Sequence, residues 1–284
     1  MLYSYKGRNI HYQEKGQGHP LLLLNGIMMS TESWAPFVPA FSRHHRVILL
    51  DLMDQGKSAA FPPGYGIQEQ AEMLKAFLWH LEIDRVSVLS TSYGGALALQ
   101  LACDAPQLVD RLLLAATRAW TDPLFRDMCE SWLHGTASAQ AFYTSTIPLF
   151  YGATFQQNQR EWMEKRRKTL EATVFSNPDF LDRMRRLVRS IMDFDLRDRL
   201  PAITCPTLIL APEEDLVMMP WEQKRILKGI PQAEMISLPG TGHVLFLERP
   251  ELFVSLAMGW FDYREALGLL DSPAPMDEND LVTQ

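Results

Sequence analysis

Residues 86–102, VSVLSTSYGGALALQLA, constrain the fold more than any other stretch. An apolar run (Val86, Val88, Leu89) meets the turn Ser90-Thr91-Ser92-Tyr93-Gly94-Gly95 and continues into an alanine- and leucine-rich helical segment. A strand that becomes a helix through one turn must let the two elements pass closely. Small neighbours two positions either side of the apex permit this, and Ser90 and Gly94 flank Ser92 in that way. The apex residue is expected in a left-handed conformation, which costs about 1–2 kcal/mol for a residue with a Cβ.

Other runs surround this element. Residues 2–16 alternate weakly around Lys6-Gly7 and predict an edge hairpin. PLLLLNG at 20–26 and RVILLDL at 46–52 are continuous apolar runs, as suits strands covered on both faces. A short helix is expected over 30–42, with Trp34, Phe37 and Phe41 on one stripe, and a longer helix over 68–81. LVDRLLLAA at 108–116 supplies a further strand. From 118 to 195 the strand rhythm stops, and helical patterns occupy 122–134, 137–150, 156–175 and 178–193. It returns with PTLILA at 206–211, a helix over 220–228, a strand over 234–238 and a helix over 250–265. Alternating strands and helices imply an α/β fold with a mostly parallel sheet clothed on both faces. The expected domains are a core of 1–117 and 196–267, an inserted helical cap of 118–195, and a flexible acidic tail of 268–284.

Composition narrows the function. With 284 residues, 47% of them hydrophobic, the chain can bury a large core, and its net charge of -7 argues against general nucleic-acid binding. Cys103, Cys129 and Cys205 show no C-x-x-C spacing, so neither a disulfide framework nor a zinc site is expected. No apolar signal core opens the chain and no apolar run is long enough to span a membrane. A cytoplasmic location is the resulting expectation.

The chemistry centres on Ser92. A serine hydroxyl attacks well only when a base takes its proton, and that base is usually a histidine oriented by a buried carboxylate. The strand–turn–helix setting of Ser92 has the layout of a nucleophile elbow, whose partners follow in the order acid, then histidine, on loops at strand ends. Asp215 lies just past PTLILA, in Pro212-Glu213-Glu214-Asp215. His243 lies past the next strand, in Pro239-Gly240-Thr241-Gly242-His243. The other histidines (His11, His19, His44, His45, His80, His134) lack a glycine-flanked setting of that kind. The candidate catalytic residues are therefore Ser92, Asp215 and His243.

With LLLLNG, DLMDQGKS, STSYGG, PTLILAPEED and GTGH followed by ERP, all in order, the chain resembles the α/β-hydrolase superfamily over about residues 8–265. The likeness is to its capped serine esterase and lactonase branch. It implies an eight-stranded type of sheet with no metal and no organic cofactor. It also implies an oxyanion hole formed by the backbone N–H groups of Ile27 and Tyr93. Four positions depart from the usual pattern. Ser90 stands for the first elbow glycine, Asn25 for a common histidine, Asp54 for the first glycine of D-x-x-G-x-G-x-S, and Pro212 for the glycine opening the acid turn. Dehalogenases of this superfamily need an aspartate at the apex, so Ser92 disfavours that branch.

In such relatives the cap sets the substrate. Here it carries nine aromatic residues between Trp120 and Trp162, so an apolar small-molecule substrate is expected, held by Asn25, Met28, Trp34, Phe142, Met218 and Val244. Residues 160–189 hold nine basic side chains against five acidic ones. That run reads either as a docking face for an acidic carrier protein or as a solvated helix face laced with pairs. The leading function is hydrolysis of a small to medium apolar ester, lactone or thioester through an acyl-enzyme. C–C bond hydrolysis or cofactor-free perhydrolysis by the same triad, and a non-catalytic ligand receptor, are the alternatives. Nothing in the sequence sets the oligomeric state.

Overall fold

The computed structural model describes residues 1–263. Its strands are β1 (Leu2–Tyr5), β2 (Arg8–Lys15), β3 (His19–Leu24), β4 (His45–Leu50), β5 (Val86–Thr91), β6 (Val109–Ala115), β7 (Thr207–Pro212) and β8 (Ala233–Leu238). Its helices are α1 (Val38–Phe41), α2 (Ile67–His80), α3 (Tyr93–Asp104), α4 (Pro123–Gly135), α5 (Ala139–Phe150), α6 (Ala153–Asn158), α7 (Arg160–Thr169), α8 (Pro178–Ile191), α9 (Pro220–Gly229), α10 (Leu245–Glu248) and α11 (Pro250–Met258). No helix among the described residues is long and apolar enough to cross a membrane.

One eight-stranded sheet runs in the order β1-β2-β4-β3-β5-β6-β7-β8. The hairpin strands β1 and β2 are antiparallel, and β4 through β8 are parallel. Every residue of β5 and β7 is buried, as in strands covered on both faces, and in β5 this includes Ser87, Ser90 and Thr91. From β3 the chain steps outward to β4, then crosses back to lay β5 on the other side of β3. A reversal of that kind opens a crevice at the carboxyl ends of the two strands. The loop after β3 and the turn after β5 therefore meet there, with Leu24 paired to Ser90.

The turn itself is tight. Ser92 has φ +52° and ψ -117°, and its N–H donates to the carbonyl of Ala115 on β6. A Cβ on Gly94 would lie 2.6 Å from the carbonyl oxygen of Leu24, so only glycine lets α3 pass β3 at this distance. Ser90 is accommodated because its hydroxyl donates to the carbonyl of Leu113, 3.1 Å away.

Between β6 and β7 lie α4 to α8, and an antiparallel bridge between Trp120 and Asp195 ties together the chain entering and leaving this insertion. Two helices differ from expectation. The segment 30–42 forms a 3-10 turn, Thr31–Trp34, and then α1, because Pro36 and Pro39 interrupt a continuous helix. The segment 156–175 splits into the end of α6, α7 and a π-turn over Leu170–Val174, with Gln159 out of helical conformation between the first two. α7 buries no residue and is braced by Lys168–Glu164 and Arg167–Glu171 pairs. At the far end α11 stops at Met258 and a π-turn runs to Tyr263. The acidic tail read from residue 268 lies outside the described residues.

Gly94→Ala should lower stability by about 1–3 kcal/mol, because the added methyl meets backbone that cannot step aside. A urea melt with an unchanged midpoint would contradict this account of the β3–α3 approach.

Candidate active site

Three strand ends bring the candidate residues together. Ser92 follows β5, Asp215 follows β7, and His243 follows β8, on loops that leave the sheet side by side because Pro212 pairs with Leu238. His243 Nε2 lies 2.9 Å from Ser92 Oγ, and His243 Nδ1 lies 2.9 Å from Asp215 Oδ2. All three side chains are buried. An ionised carboxylate can only accept, so the ring proton belongs on Nδ1 and Nε2 is left to accept the Ser92 hydroxyl. The other oxygen of Asp215 accepts the N–H groups of Val217 and Met218, each at 2.8 Å, which fixes the carboxylate plane. Among the other possible nucleophiles, burial pushes the thiols of Cys103 and Cys205 up to about 11 and that of Cys129 up to about 12, which keeps them protonated.

The loop after β3 is held from beneath. Gln55 donates from Nε2 to the carbonyls of Gly26 and Ile27, and its Oε1 accepts from Asn25 Nδ2. Asn25 also donates to the carbonyl of Leu50 and accepts from the Trp34 indole at 2.7 Å. The amide at position 25 thus bridges three elements, and its side chain is fully satisfied. Neither Ile27 nor Tyr93 uses its backbone N–H on a protein acceptor among the described residues; Tyr93 opens α3, where an intrahelical acceptor is lacking.

Above these residues lies a cavity of about 330 Å³. Its floor is Gly26, Ile27, Ser92 and His243; its walls include Met28, Met29, Ile147, Phe150, Leu170, Val174, Phe175, Val244 and Phe246. Of the six side chains expected to line it, Met28 and Val244 do. Asn25 turns into the core as described. Trp34 is fully buried beneath the loop against Phe246 and Phe253. Phe142 stands one layer back, edge-on to Phe175 at 5.0 Å. Met218 is engaged elsewhere, its sulfur accepting from Arg118 Nε at 2.9 Å. Tyr151, Arg166, Phe175 and Phe180 also line the wall; they come from the end of α5, from α7, from the residue after the π-turn and from α8, so no single helical period links them in the sequence.

Polar contacts couple the cap to the site. Asp54, with φ +62°, turns its buried carboxylate to Arg186 of α8, at 2.8 and 3.0 Å, and to the Tyr65 hydroxyl. The departure at position 54 is thus the core's anchor for the cap. The Tyr93 hydroxyl meets Ser190 of the same helix at 2.7 Å and Gln70 at 2.9 Å. On the opposite side, Glu248 accepts the N–H groups of Gly152 and Gly242. Burial raises the Glu248 carboxyl above the usual glutamate value, against the pull of those two donors. Glu214 accepts from Thr154, so the start of α6 is pinned to both the acid loop and the histidine loop. Of the nine basic residues in 160–189, Arg167, Lys168, Arg183, Arg185 and Arg186 pair with carboxylates of this chain. Four of these pairs join near neighbours along the stretch, and the fifth ties Arg186 to Asp54.

A serine, a histidine and an aspartate hydrogen-bonded in series at the strand ends of a mostly parallel sheet have the layout of a nucleophile-elbow hydrolase. Comparison with known proteins agrees. The model of the alpha/beta hydrolase family matches residues 21–256. MGS-M2, an alpha/beta hydrolase from a Medee basin deep-sea metagenome library, superposes with a TM-score of 0.90 at 37% identity, over 92% of this chain and 97% of that one. Est816, described as an N-acyl homoserine lactone degrading enzyme, superposes with a TM-score of 0.77 at 25% identity, over 92% and 100%. A curated relative from Yersinia enterocolitica, named "Putative carbamate hydrolase RutD", is 28% identical over 88% of this chain and 91% of its own. The chain belongs to the alpha/beta hydrolase family.

Arg186→Met would strand the Asp54 carboxylate with its neutral partners alone. Arg186 keeps some solvent access, so the expected loss is about 1–3 kcal/mol, below that of a fully buried pair. Hydrogen exchange should quicken in α8 before it does in β5; protection falling equally in both would contradict this placement of the anchor.

Proposed function

We propose that the chain is a serine hydrolase that cleaves a small to medium, largely apolar ester, lactone or thioester through an acyl-enzyme on Ser92. The observation that carries this reading is the unbroken hydrogen-bond chain from Ser92 Oγ through His243 to Asp215, opening onto a mostly apolar cavity. Ser92 Oγ attacks the carbonyl carbon as its proton passes to His243 Nε2. Asp215 stabilises the imidazolium and holds its orientation. The negative charge that develops on the carbonyl oxygen is met by the N–H groups of Ile27 and Tyr93. Two donors preorganised in a dry pocket favour that charge, and losing one donor of this kind costs about 2.7–4 kcal/mol.

Collapse of the tetrahedral intermediate breaks the bond to the leaving oxygen or sulfur, which takes the proton from His243. The acyl group remains as an ester on Ser92. Water then attacks that ester as His243 accepts its proton, and His243 returns that proton to Ser92 Oγ as the acid leaves. A carbamate presents a carbonyl of the same geometry, and the names of the curated relatives support including carbamates in a substrate panel. The Gln55 contacts to the carbonyls of Gly26 and Ile27 make it a positioning residue for the oxyanion loop.

Ser92→Ala should reduce turnover of p-nitrophenyl butyrate by at least about a thousandfold, while thermal melting shows the protein still folded. Activity retained in that variant would overturn the assignment. Gln55→Leu should lower kcat by about tenfold or more with little change in KM, since the loop it steadies acts in the transition state. A rise in KM at constant kcat would instead place Gln55 in ground-state binding.

A further inference from the structure

Besides Ser92 and His243, the polar side chains lining the cavity are Ser33 and Thr91 from the core and Tyr151 and Arg166 from the cap. Tyr151 is 1% exposed, and its hydroxyl makes no well-aligned hydrogen bond; the group it lies against is the Arg166 guanidinium. Arg166 on α7 lines the same cavity, with a buried Nε that also has no partner. Its neighbours in sequence behave differently: Arg167 pairs with Glu171 and Lys168 with Glu164. Among the described residues no carboxylate pairs with Arg166. Its guanidinium is held by rings instead, 5.3 Å from the centroid of Trp162 and 5.9 Å from that of Tyr151. Those contacts fix its place, and the side chain as a whole keeps some solvent access.

A buried hydroxyl without a well-made hydrogen bond is costly, and so is a cation turned toward an apolar cavity. Such groups are normally satisfied, so a pair left open in a site wall marks where a ligand's polar group belongs. One guanidinium and one phenolic O–H suit a single planar anion. The guanidinium forks onto two carboxylate oxygens, and the phenol donates to one of them. A phosphate dianion would call for a second cation, which this wall does not offer.

We propose that Arg166 and Tyr151 form a subsite for a carboxylate at the far end of the acyl group, so that the preferred substrates are half-esters, or related monoacyl derivatives, of dicarboxylic acids. This rests on the reading of Ser92 as the nucleophile. The apolar wall between the two ends, Leu170 and Val174 among it, takes the methylene chain. The carbonyl lies at Ser92 and the carboxylate at the cap. Arg166 and Tyr151 bind substrate and leave the bond-making atoms to the triad.

The test uses the p-nitrophenyl half-esters of succinate, glutarate, adipate and pimelate, each beside its methyl-capped counterpart, which lacks the charge. For at least one chain length the wild type should show a higher kcat/KM on the free acid than on the capped ester, and added salt should reduce that preference. In Arg166→Met the acid-to-capped ratio should fall by about tenfold or more, the scale of a hydrogen-bonded charge contact. Arg166→Lys should keep part of it, and Tyr151→Phe should lower it by a smaller factor. A wild-type ratio at or below one for every chain length would overturn the proposal, as would a ratio unchanged in Arg166→Met and Tyr151→Phe alike. Turnover of both ester series that disappears in Ser92→Ala but shows no charge preference would remove the subsite alone. Turnover that survives Ser92→Ala would remove the reading of Ser92 itself.

Discussion

A serine with φ +52° keeps that backbone only while its surroundings over-determine it, and the rest of the molecule is arranged to do so. The Ser92 N–H is tied to β6, and its carbonyl accepts from both Gly95 N–H and the Thr117 hydroxyl. Gly94 lets α3 settle against the end of β3, so the helix cannot tilt without opening the sheet. The strain of the turn is of the order of 1–3 kcal/mol, small beside the burial of a fully covered central strand. Its consequence is geometric. Ser92 Oγ stands above the strand ends within reach of His243, while the next N–H faces the same space.

From that point the remaining contacts are about register. Asp51 shows how firmly the neighbouring loops are set. Its carboxylate accepts from Thr31 N, Lys57 N and the His11 ring, and a Cβ on Gly56 would meet it at 2.4 Å. Arg118 does the same for the acid loop. It is buried, lies 3.6 Å from the centroid of Phe125, and donates to the carbonyl of Val217, next to the residues whose N–H groups hold Asp215. The cap is fastened on two sides, by Asp54 with Arg186 and by Glu214 and Glu248 with Gly152 and Thr154. A cap tied to the loops that carry Asp215 and His243 couples the shape of the pocket to the alignment of those side chains with Ser92.

The order of strands and helices was legible in the sequence because strands covered on both faces leave apolar runs, as Leu21–Leu24 of β3 and Leu208–Ala211 of β7 do. Ser92, Asp215 and His243 were legible because each follows a strand, in a turn whose glycines or apex position mark it. The pocket was not. Asn25 and Trp34 looked like wall residues from their place in the chain, yet they bond to each other beneath the floor. Arg166 lies in a run of four consecutive basic residues, and nothing in the sequence separates it from Arg167. Only the fold shows that one meets a carboxylate while the other meets a cavity. The departure at Asp54 was visible as an irregularity, but its partner Arg186 lies 132 positions away and no local pattern links them.

The central claim is that Ser92 carries the acyl group. The most direct test is mass spectrometry of the intact protein and of its peptides, after acid quench of the reaction with a p-nitrophenyl ester during the first turnovers. The account predicts a mass increase equal to the acyl group, located on the peptide containing Ser92 and coincident with the burst of p-nitrophenol. Rapid turnover with the acyl group on another side chain, or steady hydrolysis with no burst and no adduct at any quench time, would contradict it.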